Sequence, residues 1–144
     1  MPSSATDRAL RDILYHIKLA LQWTTGFDWP AFHDDLRTNY AVTRCLEIIS
    51  EASRRLPDEL KARHSSIAWR QMASAGNIYR HDYEDVAARF VWETVQRDLP
   101  PLRAVVEQEL ARGGSRTSAV PRAATSYNCH APRKRGIQYA VTPQ

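Results

Sequence analysis

Apolar residues in this chain return every three or four positions, segment after segment, and no stretch alternates Val, Ile or Thr long enough to make a strand. That period commits the chain to helices packed on one another. In the first segment Leu10, Ile13, Leu14, Ile17, Leu21 and Thr24 form the stripe, with Thr6 or Asp7 placed to cap it and Gly26 to stop it. His16 falls off the stripe and is expected to face solvent. Phe27 to Leu36 starts again behind Asp28 as cap, with Pro30 in the first turn, where its missing N–H costs little. Phe27 and Phe32 are read as staple and core residues.

Thr38 is expected to open a second long helix whose buried stripe is Val42, Cys45, Leu46, Ile49, Ala52, Ser53 and Leu56, with Pro57 ending it. A short helix follows to His64, and Ser65 or Ser66 is the expected cap of the next, which runs from Ile67 to Tyr83 with Trp69, Met72, Ala73 and Gly76 on one face. Val86, Phe90, Val91, Val95 and Leu99 resume the pattern. Pro100-Pro101 interrupts it, and Leu102, Val105, Val106 and Leu110 close the fold in a final turn or two. The sequence therefore predicts an all-α protein, a small antiparallel helical bundle.

The chain has 144 residues, which suggests one domain. The charge divides it. Residues 111–144 carry Arg112, Arg116, Arg122, Arg133, Lys134 and Arg135 and no acid. Taking those six from 20 basic residues leaves 14 against 16 acids in the part before them. The helical domain, residues 5–112, is thus slightly acidic, and the high isoelectric point belongs to a tail, residues 113–144, with no apolar period and an expectation of disorder. Such a tail either holds RNA by loose phosphate contacts or is a solvated extension. No run approaches the ~18 apolar residues of a membrane span, and the N-terminal residues hold no segment of signal-peptide type. Cys45 lies in an apolar pattern and Cys129 in the polar tail, so no disulfide framework is expected. A cytoplasmic protein without cofactor fits these features.

Chemistry-bearing residues gather where the face of the Ile67–Tyr83 segment gives out: Asn77, Arg80, His81, Asp82 and Tyr83. A His at a helix end is ordinarily a cap or surface residue, and a Tyr two positions on is ordinarily half-buried packing. His33-Asp34-Asp35 suggests a metal site only superficially, because adjacent helical side chains diverge, and Asn128-Cys129-His130 lacks a second pair of zinc ligands. Arg44, Glu47 and Glu51 flank the buried stripe of the second long helix at spacings of three and four, either as an ion-pair ladder or as a polar group aimed at a neighbouring helix.

Several of these stretches, in order, resemble the HepT-like family of the HEPN superfamily: Arg44-Cys-Leu-Glu-Ile-Ile-Ser-Glu-Ala52, Leu60-Lys-Ala-Arg-His64, Ile67-Ala-Trp-Arg70, His81-Asp-Tyr83, Val91-Trp-Glu-Thr-Val95 and Asp98-Leu-Pro100. The resemblance runs from about Thr6 to Leu110 and leaves out the tail. It implies a HEPN-type helical bundle, a homodimer, and a ribonuclease toxin acting on RNA, encoded beside a minimal nucleotidyltransferase antitoxin that silences it by attaching AMP to a Tyr. The family pattern is Arg, four residues, His, one residue, Tyr. His81 matches the His, Tyr83 the modified Tyr, and Asn77 a polar position that follows the Arg. The implied reaction uses the RNA's own 2′-hydroxyl, with His moving a proton and Arg stabilising charge on the phosphoryl oxygens, and it requires no metal.

The chain departs from the pattern at one point. Five residues before His81, where the family has Arg, stands Gly76. Arg80 diverges from its neighbour His81 around the helix, and Arg70 lies about 16 Å before it along a straight helix. Arg44, on a packed helix, is the better substitute, and a dimer offers Arg80 across an interface. The alternative expectation is a catalytically degenerate homologue that acts as an interaction module for the nucleotidyltransferase.

Overall fold

The computed structural model describes the backbone of residues 4–81 and 84–114 and the side chains of 4–76 and 86–114. Every element among the described residues is helical: α1 (Ser4–Trp23), α2 (Trp29–Asp34), α3 (Leu36–Arg54), α4 (Asp58–Arg63), α5 (Trp69–His81), α6 (Glu84–Glu93), a π-helical turn (Thr94–Asp98) and α7 (Leu99–Gly114). The all-α bundle expected from the apolar period is what the chain forms. The tail expected to be disordered lies, from residue 115 on, outside the described residues.

α3 is the central element, packing against α1 on one side and α5 on the other, with α7 completing the core against α1. The stripe of α3 is buried as its spacing requires, from Val42 through Cys45, Leu46, Ile49 and Ala52, and Leu56 follows it. In α1 the buried residues are Thr6, Ala9, Leu10, Ile13, Ile17 and Ala20, while Leu14 and Leu21 pack only partly. Thr6 is therefore a core-facing residue inside the first turns, not a cap.

Local chemistry sets the ends. Gly26 adopts φ +80 and lets the chain leave α1. Asp28 caps α2 by accepting from the Ala31 amide at 2.9 Å. Asp35, not Thr38, begins α3: its carboxylate accepts from the Thr38 amide at 3.3 Å and the Thr38 hydroxyl at 2.7 Å. The hydroxyl bond, then the amide bond, holds the Asp35 carboxyl below its ordinary pKa. α5 starts at Trp69, two residues later than a Ser66 cap would place it. The Trp69 indole N–H is shared between the carbonyls of Lys61 at 3.1 Å and His64 at 2.9 Å, which fastens the start of α5 to α4.

The second half departs further from the sequence expectation. Pro100-Pro101 does not break the helix. The two prolines sit in the first turn of α7, and the turn before them widens, so that the Leu99 amide donates five residues back to the Thr94 carbonyl. A proline ring clashes with the carbonyl four residues earlier in a regular helix, and the wider turn relieves that contact. α7 is accordingly 16 residues long, runs through Gly113 and Gly114, and carries Leu99, Leu102 and Val106 into the core. Val86, expected in the stripe, is 58% exposed.

Candidate functional site

The sequence placed its candidates at the far end of α5, so the α3–α5 contact decides what faces them. Three side-chain donors from α3 converge on one carbonyl of α5. Arg54 Nε and Nη2 donate to the Ala73 carbonyl at 2.9 and 2.7 Å, and Ser50 Oγ donates to it at 3.1 Å. Gly76 lies against the same serine: a Cβ built there would stand 3.3 Å from Ser50 Oγ. Arg54, one turn after Ser50 on α3, meets α5 at Ala73, whereas Ser50 meets it at Ala73 and Gly76. The contacts advance along α5 as they retreat along α3, so the two helices run antiparallel.

That register has a direct consequence for Arg44. Six residues back from Ser50 along α3 is about 9 Å of rise, and five residues on from Gly76 along α5 is about 7.5 Å. Arg44 and the backbone of His81 therefore stand at similar height on adjacent antiparallel helices. A groove of about 320 Å³ lies along α3 beside this contact, lined by Arg44, Glu47, Ile48, Ser50, Glu51, Arg54 and Arg55 and, from α5, by Gly76. Arg44 Nη1 donates to Glu47 Oε2 at 2.8 Å, with the arginine side chain 68% exposed and the glutamate 21%. The ladder reading of Arg44, Glu47 and Glu51 is thus correct as to the pair, and the same residues also line the groove. An exposed i,i+3 pair is worth only about 0.3–0.5 kcal/mol, so an anion in the groove competes readily for the guanidinium.

The backbones of Asn77, Arg80 and His81 form the last turns of α5, but their side chains, together with Asp82 and Tyr83, lie outside the described residues. Arg54 and Ser50 are groove residues that sequence reading missed. Their bonds to Ala73 span 19 and 23 positions and end on a backbone atom, which leaves no spacing to detect.

Other reactive groups are accounted for by structure. Burial pushes the Cys45 thiol up to about 11, which leaves it protonated at neutral pH. His33 Nδ1 lies 3.0 Å from Asp34 Oδ1, Asp35 is committed to its cap, and among the described residues no three potential metal ligands converge. A larger concavity, about 440 Å³, lies between α3, α5 and the π-helical turn. Its walls are mainly apolar, including Leu46, Ile49, Met72 and Phe90, and among the described residues its only charges, Arg97 and Asp98, pair with each other at 3.3 Å.

The described residues define a small all-helical bundle with an arginine-lined groove along α3 where α5 packs on it. The particular family follows from comparison: the Ribonuclease HepT-like family model matches residues 10–109, and the chain belongs to that family. It is 38% identical over 99 residues to a probable ribonuclease HepT of Thermococcus cleftensis, covering 69% of this chain and 90% of the relative. It is 31% identical over 103 residues to a putative RNase of Caldanaerobacter subterraneus, covering 72% and 92%. A putative RNase of Methanocaldococcus jannaschii is 32% identical over 98 residues, covering 68% and 90%. No solved structure matches the chain. The family supports a ribonuclease function, and no described helix is long and apolar enough to cross a membrane.

Proposed function

We propose that this protein is a metal-independent endoribonuclease of toxin type, in which Arg44 supplies from α3 the cation that Gly76 does not supply from α5. The observation that supports this reading is the antiparallel packing of α3 and α5, in which Arg44 and the backbone of His81 stand at similar height on adjacent helices. The RNA 2′-hydroxyl attacks the adjacent phosphorus. His81 accepts the hydroxyl proton, the bond from phosphorus to the 5′-oxygen breaks, and the leaving oxygen takes up a proton. The products are a 2′,3′-cyclic phosphate and a free 5′-hydroxyl. The Arg44 guanidinium exchanges Glu47 for the phosphoryl oxygens, on which charge builds in the transition state. DNA lacks the attacking hydroxyl and is not cleaved.

The working unit in this proposal is a homodimer held by a minimal nucleotidyltransferase antitoxin. That partner transfers AMP from ATP to the Tyr83 hydroxyl, releasing pyrophosphate, and the added negative charge repels substrate. Intact-mass measurement after co-expression with the partner should show one AMP, lost in Tyr83→Phe. An unshifted mass beside an active transferase rules Tyr83 out.

RNA cleavage by purified protein tests the catalytic reading. His81→Ala and Arg44→Ala should each lower the rate, the latter by about 10²–10³ as for loss of one charge-stabilising donor set, and Arg44→Lys should restore only part of it. Gly76 favours one second reading, an interaction module without catalysis. That reading prevails if the wild type is inert on RNA and a folded Gly76→Arg variant stays inert.

A further inference from the structure

One surface pair lies at the edge of the core and outside the groove. Trp29 of α2 is half-buried, and the guanidinium carbon of Arg89 on α6 sits over its ring, 4.9 Å from the centroid. One turn on along both helices, Phe32 and Trp92 meet with ring centroids 5.1 Å apart, Phe32 wholly buried. That inner pair docks α2 on α6 and so fixes the outer pair. Arg89 Nε donates to Glu93 Oε1 at 3.1 Å, while the Arg89 side chain stays 56% exposed. The guanidinium is braced by a ring beneath and a carboxylate at one edge, and Nη1 and Nη2 have no partner among the described residues. The His33 ring lies 5.3 Å from that of Trp29, tilted 54° to it, at the edge of the platform.

Location gives this platform its meaning. Tyr83 directly precedes α6, and Arg89 lies five residues into the helix from Glu84, about 7.5 Å along it. We propose that Arg89 and Trp29 form a nucleobase subsite for single-stranded RNA. A base stacks on the outward face of the guanidinium, and its adjoining phosphate takes the Nη edge. Unpaired bases are held in this way on aromatic rings and arginine planes. The subsite rests on the ribonuclease reading for the identity of its ligand. Glu93 offsets Arg89, and Asp34 stands 3.0 Å from His33, so the patch has no surplus of positive charge. It therefore acts through stacking and directed N–H groups, and its salt dependence is that of a single phosphate contact, a slope of about 0.7.

The experiment measures binding of the full chain to a fluorescent 2′-O-methyl oligoribonucleotide, which cannot undergo 2′-hydroxyl attack, alongside cleavage of the unmodified RNA. Arg89→Ala should weaken binding about tenfold, the range for loss of one stacked base, and raise KM with little change in kcat. Arg89→Lys should fail to rescue either, because an ammonium keeps the charge but not the plane. Trp29→Phe, which keeps an apolar ring in place, should give a smaller loss. Binding by Arg89→Lys equal to wild type overturns the proposal, since charge alone then suffices. Unchanged RNA binding in Arg89→Ala, with loss of binding to the nucleotidyltransferase partner instead, also overturns it and makes the patch a protein contact. If cleavage proves independent of His81 while oligonucleotide binding still needs Arg89, the ribonuclease reading fails and the subsite stands. If wild type binds no oligonucleotide, the subsite falls, and the His81 dependence of cleavage decides the ribonuclease reading separately.

Discussion

At the scale of single residues, Gly76 is where sequence and structure bear most closely on one another. The sequence shows a missing arginine; the structure shows why a side chain there is costly. A Cβ would stand 3.3 Å from Ser50 Oγ, which is itself held on the Ala73 carbonyl. Replacing Gly by Ala in a helix gains about 1 kcal/mol of propensity, and displacing one hydrogen-bonded hydroxyl loses about as much. Gly76→Ala should therefore be close to neutral in wild type and stabilising by about 1 kcal/mol in a Ser50→Ala background, where the oxygen is gone. Urea unfolding of the four proteins checks this, and equal effects in both backgrounds would show that Ser50 does not oppose the substitution. By the same argument, the Gly76→Arg test of activity is cleaner when Ser50→Ala accompanies it. The histidine and tyrosine of the candidate site are proposed from the pattern they complete, and their side chains lie outside the described residues. The Ser50 and Arg54 bonds to Ala73 are not legible in the sequence, because they join two helices through a backbone atom.

At the scale of elements, the stripes of α1 and α3 are legible because burial imposes their period, whereas the junction of α6 and α7 is not. Reading Pro100-Pro101 as a break follows the rule for regular helices and misses that one widened turn keeps Val95, Leu99 and Leu102 on a continuous buried face. The polar contact that joins α7 to α4 was equally invisible. Glu109, 7% exposed, accepts from Arg63 Nη2 and lies against His64 Nε2, both at 2.8 Å, with Arg112 at 3.4 Å. Burial works to raise its pKa, but the hydrogen bonds of Arg63 and His64, aided by the charges of Arg63 and Arg112, outweigh it and hold the carboxyl below its ordinary value. Glu109→Gln should cost about 2–3 kcal/mol, less than the ~3–5 of a fully buried pair, because the Arg63 and Arg112 side chains are 43% and 58% exposed. A carboxylate with a lowered folded pKa stabilises fully above its unfolded value, here 4.5, and the contribution is lost as pH falls through the folded value. The stability gap between wild type and Glu109→Gln should therefore be constant near neutrality and narrow below pH 4.5. A gap that stays the same into acid would place the ionised carboxylate outside the interaction.

At the scale of the whole molecule, charge and fold come from different parts of the chain. Every one of the 16 acids lies within the first 110 residues, and all but five of the 20 basic residues lie within the first 114. The helical part alone, 15 basic against 16 acidic residues, is therefore net −1, although the full chain is +4. A bundle of that charge gives a polyanion no long-range attraction. The described core spans Ala9 to Val106, and the family match ends at residue 109, so the residues that make the fold precede the basic excess. Removing residues 115–144 should leave the helical circular dichroism and the melting temperature nearly unchanged. A large fall in melting temperature would show that those residues pack on the bundle. The same truncation removes Arg116, Arg122, Arg133, Lys134 and Arg135. For single strands each phosphate contact contributes about 0.7 to the slope of log affinity against log salt. RNA binding by the truncated chain should therefore be weaker at low salt and its salt slope shallower, by up to about 3.5 if all five cations touch phosphate. Cleavage at saturating RNA should persist, because His81 and Arg44 remain. An unchanged slope would mean that the basic residues after Gly114 make no phosphate contact and that the groove and the Arg89 platform alone hold the RNA.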